Sequence, residues 1–367
     1  MSDMAEDNIR MERDGRWRAY RMAGWIVLVV VGLGGWFYFI GTDQARRAWW
    51  AFLVNFLFFT PLAAGLVTWG AVVRACHGTW MGQLEGQTAA GLAFGAPSVV
   101  ALGALWAGSP IWAPWHGKAV IQGFWLNNTF IFARDLSLLA LFWAVAGVYV
   151  ARRRSGRGQT LKGVFIVLYA IVFSRIGFDL VMALDNRWYS TLFGGYFLVS
   201  GMYIAVTAWA FMAAWRPGTG KEQLRDLGTM VLAFSLLTTY MMYSQLLPIW
   251  YESLPKEVRF VIPRRNFFPW AWISIGLIAL VYLGPLILLL TRWAKRTPWV
   301  LGSVCAFLLA GLWVERWWLV APRFFPAPRF GLVEASITAA FLGVTAFALE
   351  LGHRRMQGID WRESEEP

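Results

Sequence analysis

The sequence predicts an all-α integral membrane protein with ten transmembrane helices. Of its 367 residues, 58% are hydrophobic and only 15% are charged, a composition outside that of soluble globular domains. A helix crosses a bilayer with about 20 mostly apolar residues, and the chain contains ten runs of that kind. Lysines and arginines lie between the runs, where they orient helices against a membrane. The net charge of +12 therefore indicates topology, and we expect no nucleic-acid partner.

The ten predicted helices begin after a charged N-terminal tail, residues 1–21. The run "GWIVLVVVGLGGWFYFIG" is followed by no small-x-small cleavage site, so we interpret it as an uncleaved first helix and not as a signal peptide. The helices form one domain, 22–352, and a second polar tail follows, 353–367. In chain order the predicted helices 1 to 10 are 22–41, 48–73, 87–107, 129–151, 161–184, 190–215, 226–250, 269–291, 298–320 and 332–352.

The distribution of basic residues predicts the topology. Both tails and the connections after helices 2, 4, 6 and 8 hold nearly twice as many Lys and Arg residues as the opposite connections, and "RRRSGRG" after helix 4 contributes most. The positive-inside rule then places both termini in the cytoplasm. The longest connections, 108–128 and 251–268, lie outside. Their Pro and Trp residues fit interfacial caps packed on partner proteins or lipid headgroups, and ordinary re-entrant loops equally well.

Cysteine and histidine usage argues against a redox centre in this chain. Cys76 and Cys305 are far apart and form no C-x-x-C motif, which indicates neither a disulfide framework nor a thiolate metal site. His77, His116 and His353 fall in or beside loops, whereas a haem within the bilayer needs axial ligands inside helices. We expect no metal or haem of its own.

Charged residues inside the predicted helices are the main candidates for function. A charge at the bilayer centre costs about 2.5–3.5 kcal/mol even on insertion scales, so such residues face the bundle interior and often mark ion or substrate paths. Arg134 and Asp135 lie in the outer half of helix 4. Arg175 and Asp179 lie in the outer half of helix 5, and Asp185 lies at its outer end. Five charged residues are therefore predicted at one depth on consecutive helices.

These charges allow two interpretations. Arg175 and Asp179 are four residues apart and share a helix face, so they can neutralise each other. Arg134 would then meet Asp179, or Asp135 would meet Arg175. In the first interpretation the pairs only lock two helices together. In the second they form a protonatable site that takes protons from a quinol or passes them across the bundle.

Helices 7 and 9 add polar residues near the same depth. Tyr240, Tyr243 and Ser244, with Gln245 beside them, offer groups for a quinone headgroup or a water chain, although interfacial Tyr is often only a belt residue. Helix 9 carries Glu315 and Arg316 close to its outer end.

Four further titratable residues lie at the cytoplasmic helix ends. A solvated location accounts for them, and they are also possible entry points for protons: His77, Glu85, Asp226 and Glu350.

Three segments resemble a known family. "FDLVMALDNRWYSTLFGGYF", "YSQLLPIWYESLPKEV" and "WVERWWLVAPRF" are similar, in order and spacing, to signatures of the ActF-like membrane subunits of alternative complex III, in the NrfD/PsrC-like superfamily. The resemblance covers the chain from about 127 to 324, and its most specific part runs from Asp179 to Gly194. Two positions depart from the family pattern. Arg175 replaces a smaller residue, and "SLPKE" at 253–257 replaces "NLPEE".

The resemblance implies a fold and a set of partners. The fold has two four-helix bundles, helices 2–5 and 6–9, flanked by helices 1 and 10. The assembly lies in a bacterial cytoplasmic membrane and oxidises quinol, menaquinol included. Electrons pass through an iron–sulfur subunit and c-type cytochrome subunits to a cytochrome or a terminal oxidase. An ActC-like paralogous membrane subunit is usually assigned the quinol site, and ActF-like chains are suspected of proton conduction.

Three functions therefore compete. The first is an energy-coupling subunit of a quinol oxidoreductase, catalytic only within its assembly, whose buried acids relay protons. The second is a non-conducting scaffold that anchors the quinol-binding, iron–sulfur and haem subunits. The third is a secondary transporter, which predicts inverted repeats and helices broken by Gly or Pro at mid-membrane.

Overall fold

The structure is a computed structural model that describes residues 2–118, 122–154, 161–185, 187–252 and 255–356, with side chains described outside 2–15, 154 and 255–257. Parts of three predicted features lie outside the described residues: the C-terminal tail beyond 356, the basic loop at 155–160, and Ser253 and Leu254 of the "SLPKE" segment.

The predicted fold class is confirmed within the described residues. They form helices and turns without a strand, and ten of the helices are long and apolar enough to cross a membrane. Helices 1 to 10 run Arg16–Ile40, Ala45–Ala75, Gly82–Ala107, Asn128–Arg153, Leu161–Leu184, Phe193–Ala214, Lys221–Glu252, Phe268–Leu288, Pro298–Arg323 and Leu332–Met356.

Four of these helices contain irregular turns. Helix 3 consists of α-helical pieces Glu85–Ala90 and Gly95–Ala107 with 3₁₀ turns before each, and helix 8 carries a π-helical turn, Ile278–Leu283. Helices 5 and 9 end in 3₁₀ turns, Met182–Leu184 and Ala321–Arg323. The shorter helices of the connections are Ser109–Trp112, Gly123–Leu126, Pro255–Asn266 and Arg292–Arg296.

The first helix is longer than predicted. It runs without a break from Ser2 to Ile40, so the described part of the predicted polar tail is helical. The segment is rich in Met, Arg, Ala and Glu, which are strong helix formers even where no apolar face requires a helix.

Helices 2 and 6 form the centre of the molecule. The most apolar stretch of helix 2 is entirely buried and that of helix 6 mostly so, whereas nearly all of the corresponding stretch of helix 1 is exposed or only half-buried. Helix 2 packs against helices 3, 5, 6, 9 and 10, helix 6 also packs against helices 5, 7 and 9, and helix 1 lies along helix 10. The grouping into two four-helix bundles stays a prediction.

Small residues allow helices 2 and 6 to approach closely. A Cβ atom on Gly65 would lie 2.5 Å from the Cβ of Ala205, closer than two such atoms can be. Small residues at helix contacts are typical of membrane helix packing, because attraction there depends on close van der Waals contact. We call the end that carries the connections 108–127 and 253–267 the outer end, following the predicted topology.

Candidate functional site

Four of the five predicted charges of helices 4 and 5 form one group, which we call the outer cluster: Arg134, Asp135, Arg175 and Asp179. Asp179 Oδ2 accepts hydrogen bonds from Arg134 Nη2 at 2.5 Å and from Arg175 Nη2 at 2.7 Å. Asp135 accepts from Arg134 Nε at 3.3 Å and lies beside Asp179. Of the two pairings considered, the structure has Arg134 with Asp179. Both acids are buried, and two carboxylates balance two guanidinium groups.

Trp125 covers the outer cluster. The 3₁₀ turn Gly123–Leu126 brings its ring to 4.9 Å from the guanidinium carbons of Arg134 and of Arg175, within the range of cation–π contacts. Asn127 then starts helix 4, because its Oδ1 accepts from the backbone N–H groups of Thr129 and Phe130. The cluster is therefore a set of ion pairs under an aromatic cover, in which Arg134 Nη1, Arg175 Nε and Asp135 Oδ2 have no hydrogen-bond partner among the described residues.

Asp185 does not join the outer cluster. Its Oδ2 lies 3.8 Å from Arg259 Nε and 3.6 Å from Arg323 Nε. The five charges were predicted to share a depth; four of them are in contact, and Asp185 lies apart at the outer end of helix 5. The reason is that helix 5 turns into a 3₁₀ conformation after Leu180, which directs Asp185 towards the helix Pro255–Asn266 and the end of helix 9.

Arg264 fixes the helix Pro255–Asn266 onto helix 9. Pro322 has no N–H group, so the Trp318 carbonyl loses its donor within helix 9. Arg264 replaces it, donating from Nε to Trp318 at 3.0 Å and from Nη2 to Leu319 at 2.8 Å. Burial disfavours the charged guanidinium and so lowers the pKa of Arg264, and the backbone carbonyls compensate for part of the lost hydration.

A second group, which we call the Glu315 cluster, lies between helices 6, 8 and 9. It consists of Tyr196, Ser200, Tyr282, Glu315 and Arg316. The side chains of Glu315 and Arg316 are fully buried. The Glu315 carboxylate accepts hydrogen bonds from the Tyr196 hydroxyl, from Tyr282 at 3.1 Å and from Ser200 at 2.9 Å. Arg316 Nη1 is 3.8 Å from Glu315 Oε2, beyond hydrogen-bond distance.

The hydrogen-bonding partners of Glu315 are neutral hydroxyl groups, and this determines which protonation states of the carboxyl group the cluster can satisfy. A hydroxyl can donate to an ionised carboxylate and can accept from a protonated one. Three hydroxyls around one carboxyl group can therefore satisfy both of its protonation states with small rotations. The Tyr196 and Tyr282 hydroxyls also lie 3.1 Å from each other, which extends the network from helix 6 to helix 8.

The irregular turn of helix 8 positions Tyr282. Pro285 cannot donate to the Val281 carbonyl, which interrupts the regular α-helical pattern. The Tyr203 hydroxyl donates to that carbonyl at 3.0 Å, and the Ser235 hydroxyl donates to the Tyr282 carbonyl at 2.8 Å. Side chains of helices 6 and 7 thus stabilise the turn, and π-helical turns occur frequently at functional sites.

Two donor atoms of Arg316 have no hydrogen-bond partner among the described residues. Its Nη2 donates to Ser200 at 3.0 Å, but its Nε and Nη1 have no hydrogen-bond partner among the described residues. The buried hydroxyl of Tyr169 on helix 5, on which Arg316 acts electrostatically, has none there either. Buried polar groups without protein partners are commonly satisfied by ordered water.

A glycine and a proline make room beside Tyr169. A Cβ atom on Gly201 would lie 3.0 Å from the Tyr169 hydroxyl and 3.1 Å from the Pro61 Cβ atom. Pro61 in turn removes the helical donor of the Leu57 carbonyl. Gly201 and Pro61 therefore lie beside the Tyr169 hydroxyl, where helices 2, 5 and 6 pack together.

The polar residues predicted on helix 7 lie on another surface. Tyr240 and Tyr243 are 64% and 61% exposed, so their side chains face lipid or a partner protein. Ser244 is half-buried, and Gln245 is buried with an Oε1 atom that has no partner among the described residues. The interfacial-belt interpretation fits the two tyrosines best.

At the cytoplasmic helix ends, Glu85 is not solvated as expected. It is 3% exposed, and it accepts from Arg74 Nη2 at 2.5 Å and from Arg153 Nε at 3.0 Å. The 3₁₀ turn at the start of helix 3 accounts for the difference, because it carries Glu85 inside the bundle. His77, Asp226 and Glu350 do keep partial or full exposure.

Glu315 and Arg316 were predicted from the sequence, but their hydrogen-bonding partners on helices 6 and 8 were not. Tyr196 and Ser200 are four residues apart on helix 6, a spacing that puts them on one face. The "YLGP" segment at 282–285 is a helix-breaking signal next to a tyrosine. Both signals were present in the sequence, but neither indicates which face turns towards helix 9.

The chain was compared with known proteins. No protein-family model matches it, and no curated protein matches it. The case for a function therefore depends on the two clusters and on the resembling segments.

Proposed function

We propose that this chain is the energy-coupling membrane subunit of a bacterial quinol-oxidising assembly of the alternative complex III type, and that the Glu315 cluster relays protons within it. The chain carries no redox centre in this proposal and lies in the cytoplasmic membrane with both termini in the cytoplasm. An ActC-like paralogous subunit with bound quinol, an iron–sulfur subunit, c-type cytochrome subunits and a terminal oxidase are its partners.

The proposed proton relay rests on one observation, the set of hydroxyl groups that hydrogen-bond to Glu315. An ionisable group inside a membrane protein is costly, so it is a functional candidate by default. Glu315 has Tyr196, Tyr282 and Ser200 within hydrogen-bonding distance, and these hydroxyls can pass a proton as well as hold one. Glu315 also lies in the resembling segment "WVERWWLVAPRF".

Glu315→Gln tests the relay. The assembly is purified through a tag on this chain and reconstituted into vesicles with quinol and oxidised cytochrome c. Glutamine keeps the size and hydrogen bonding of the side chain but carries no exchangeable acid proton. We expect the variant to keep its subunits and its electron transfer under uncoupled conditions. Protons moved in excess of those released by quinol itself should fall at least about tenfold.

Glu222→Gln is the matched control, because it makes the same change on an exposed side chain of helix 7. It should leave the proton yield unchanged. If Glu315→Gln prevents assembly, Tyr196→Phe supplies the same readout with a smaller change. A normal proton yield in these variants would remove Glu315 from any relay. A tagged chain that purifies as a haem-free oligomer would contradict the whole assignment and favour the transporter.

The scaffold function remains the second candidate, favoured by the outer cluster. There Asp179 has two arginine partners and Trp125 covers the group, as expected of a fixed joint between helices 4 and 5. The two functions differ in one readout, since a scaffold subunit gives a normal proton yield after Glu315→Gln.

A further inference from the structure

A basic pocket lies at the outer end of the molecule, apart from both clusters. It has a volume of about 550 Å³ and is formed where helix 1 leads into helix 2 and where helix 9 leads into helix 10. Its walls combine three arginines with three aromatic rings: Arg46, Arg47, Arg329, Trp50, Phe324 and Phe325. Pockets of this volume commonly hold small ligands.

Two of the three arginines are available to a ligand. The guanidinium group of Arg47 is already engaged, because its Nε and Nη2 donate to the Glu334 carboxylate at 2.6 and 2.7 Å. This ion pair connects helix 2 to helix 10. Within the part of the chain that the structure describes, Arg46 donates only from its Nε, to the Ile111 carbonyl at 3.2 Å. Among the described residues, no carboxylate lies within ion-pair distance of Arg46 or Arg329. Asp43 is the one acid lining the pocket, so an excess of positive charge remains.

The pocket lies at the ends of two membrane-spanning helices, where we expect the phosphate groups of lipids. Arg46 stands in the first turn of helix 2, and Arg329 stands just before helix 10. The ring of Trp50, which lines the pocket, stacks on that of Phe324 with a centroid distance of 3.8 Å. The last turns of helix 1, a few residues before Asp43 in the chain, present exposed apolar side chains, Phe37 and Tyr38 among them.

We propose that this pocket binds the phosphate group of an anionic phospholipid from the outer leaflet. Guanidinium groups match phosphate oxygens in geometry and charge. The aromatic wall contacts the glycerol region, and the exposed face of helix 1 accommodates an acyl chain. A free phosphate ion would use the arginines and leave the apolar surfaces uncovered, which favours the lipid.

The test compares two double variants that remove the same charge from the same end of the molecule. Arg46→Gln with Arg329→Gln removes both available arginines of the pocket. Arg187→Gln with Arg265→Gln removes two exposed arginines from other outer connections. Each protein, in its native assembly, is reconstituted in phosphatidylcholine with and without phosphatidylglycerol. Native mass spectrometry then counts the retained lipids.

We expect the wild type and the control to retain phosphatidylglycerol about tenfold more than the pocket variant does, since each basic residue contributes separately to the attraction. Equal retention by all three proteins would overturn the proposal. A thermal shift that inorganic phosphate produces alone, without retained lipid, would replace the lipid by a simple anion. Because the readout is lipid retention, it is independent of whether Glu315 relays protons.

Discussion

The outer cluster and the Glu315 cluster both bury acids next to arginines, but they hold the acids differently. In the outer cluster, one oxygen of Asp179 accepts hydrogen bonds from two guanidinium groups. In the Glu315 cluster, three hydroxyls surround the carboxylate, and the arginine stands 3.8 Å away. The acids are buried in both, but Arg316 is fully buried whereas Arg134 and Arg175 are only partly buried. The difference lies in the charge of the partners, because two cationic partners favour the ionised form of a carboxylate whereas hydroxyl partners can satisfy either protonation state.

Asp179→Asn should produce the largest effect on stability. Removing this charge leaves the partly buried Arg134 and Arg175 with Asp135 as their remaining acid. Breaking a buried ion pair by removing one partner costs about 3–5 kcal/mol. We therefore expect the thermal unfolding midpoint to fall sharply and little subunit to accumulate in membranes.

A second substitution separates charge from packing at this site. Asp179→Asn combined with Arg175→Leu restores the charge balance and should recover much of the lost accumulation. Asp185→Asn is the control, because the nearest arginine nitrogens of Asp185 are 3.6 and 3.8 Å away and its loss should matter less. Normal stability of Asp179→Asn, together with lost proton coupling, would reverse the roles of the two clusters.

Tyr196→Phe and Tyr282→Phe test the Glu315 cluster. Each removes one hydroxyl from Glu315, and the loss of a single hydrogen bond costs about 1 kcal/mol. We expect modest loss of stability but a clear drop, about tenfold, in proton movement by the reconstituted assembly.

Tyr203→Phe is the control for these variants. Its hydroxyl donates only to the Val281 carbonyl, so the substitution should cost a similar amount of stability while proton movement is retained. If Tyr203→Phe reduces proton movement as strongly as Tyr196→Phe does, the tyrosines act through the shape of helix 8. The hydroxyl relay would then lose its support.

The ten helices could be predicted from the sequence because hydropathy alone determines them. Helix 5, for example, was predicted at 161–184 and spans Leu161–Leu184. The outer cluster was also largely predictable, since Arg175 and Asp179 share one helix and Arg134 lies on the preceding one. Such neighbours pack together in most helical membrane proteins.

The surroundings of Glu315 were not predictable from hydropathy. Its partner Tyr196 is 119 residues away in sequence, and its partner Tyr282 lies in the π-helical turn of helix 8, which hydropathy does not reveal. The burial of Glu85 depends in the same way on a local 3₁₀ turn. Helical spacing shows which residues share a face, but it does not show which face points inwards, and the exposed Tyr240 and Tyr243 are the clearest case.

Tyr240→Phe and Tyr243→Phe should have the smallest effect. Both side chains lie on the outside of helix 7, where removing a hydroxyl leaves no buried group unsatisfied, so stability should change by less than about 0.5 kcal/mol. Proton movement should not change either, because neither hydroxyl contacts Glu315 or Asp179 among the described residues. Tyr251→Phe on the same helix, with a side chain that is 80% exposed, is the matched control.

The informative measurement is the quinol concentration dependence of turnover in the assembly. A raised KM with unchanged kcat for Tyr240→Phe or Tyr243→Phe, and not for Tyr251→Phe, would mean that helix 7 contacts the quinol headgroup at an interface with a partner. Helix 7 would then carry a third functional site on its exposed surface, in addition to the two internal clusters.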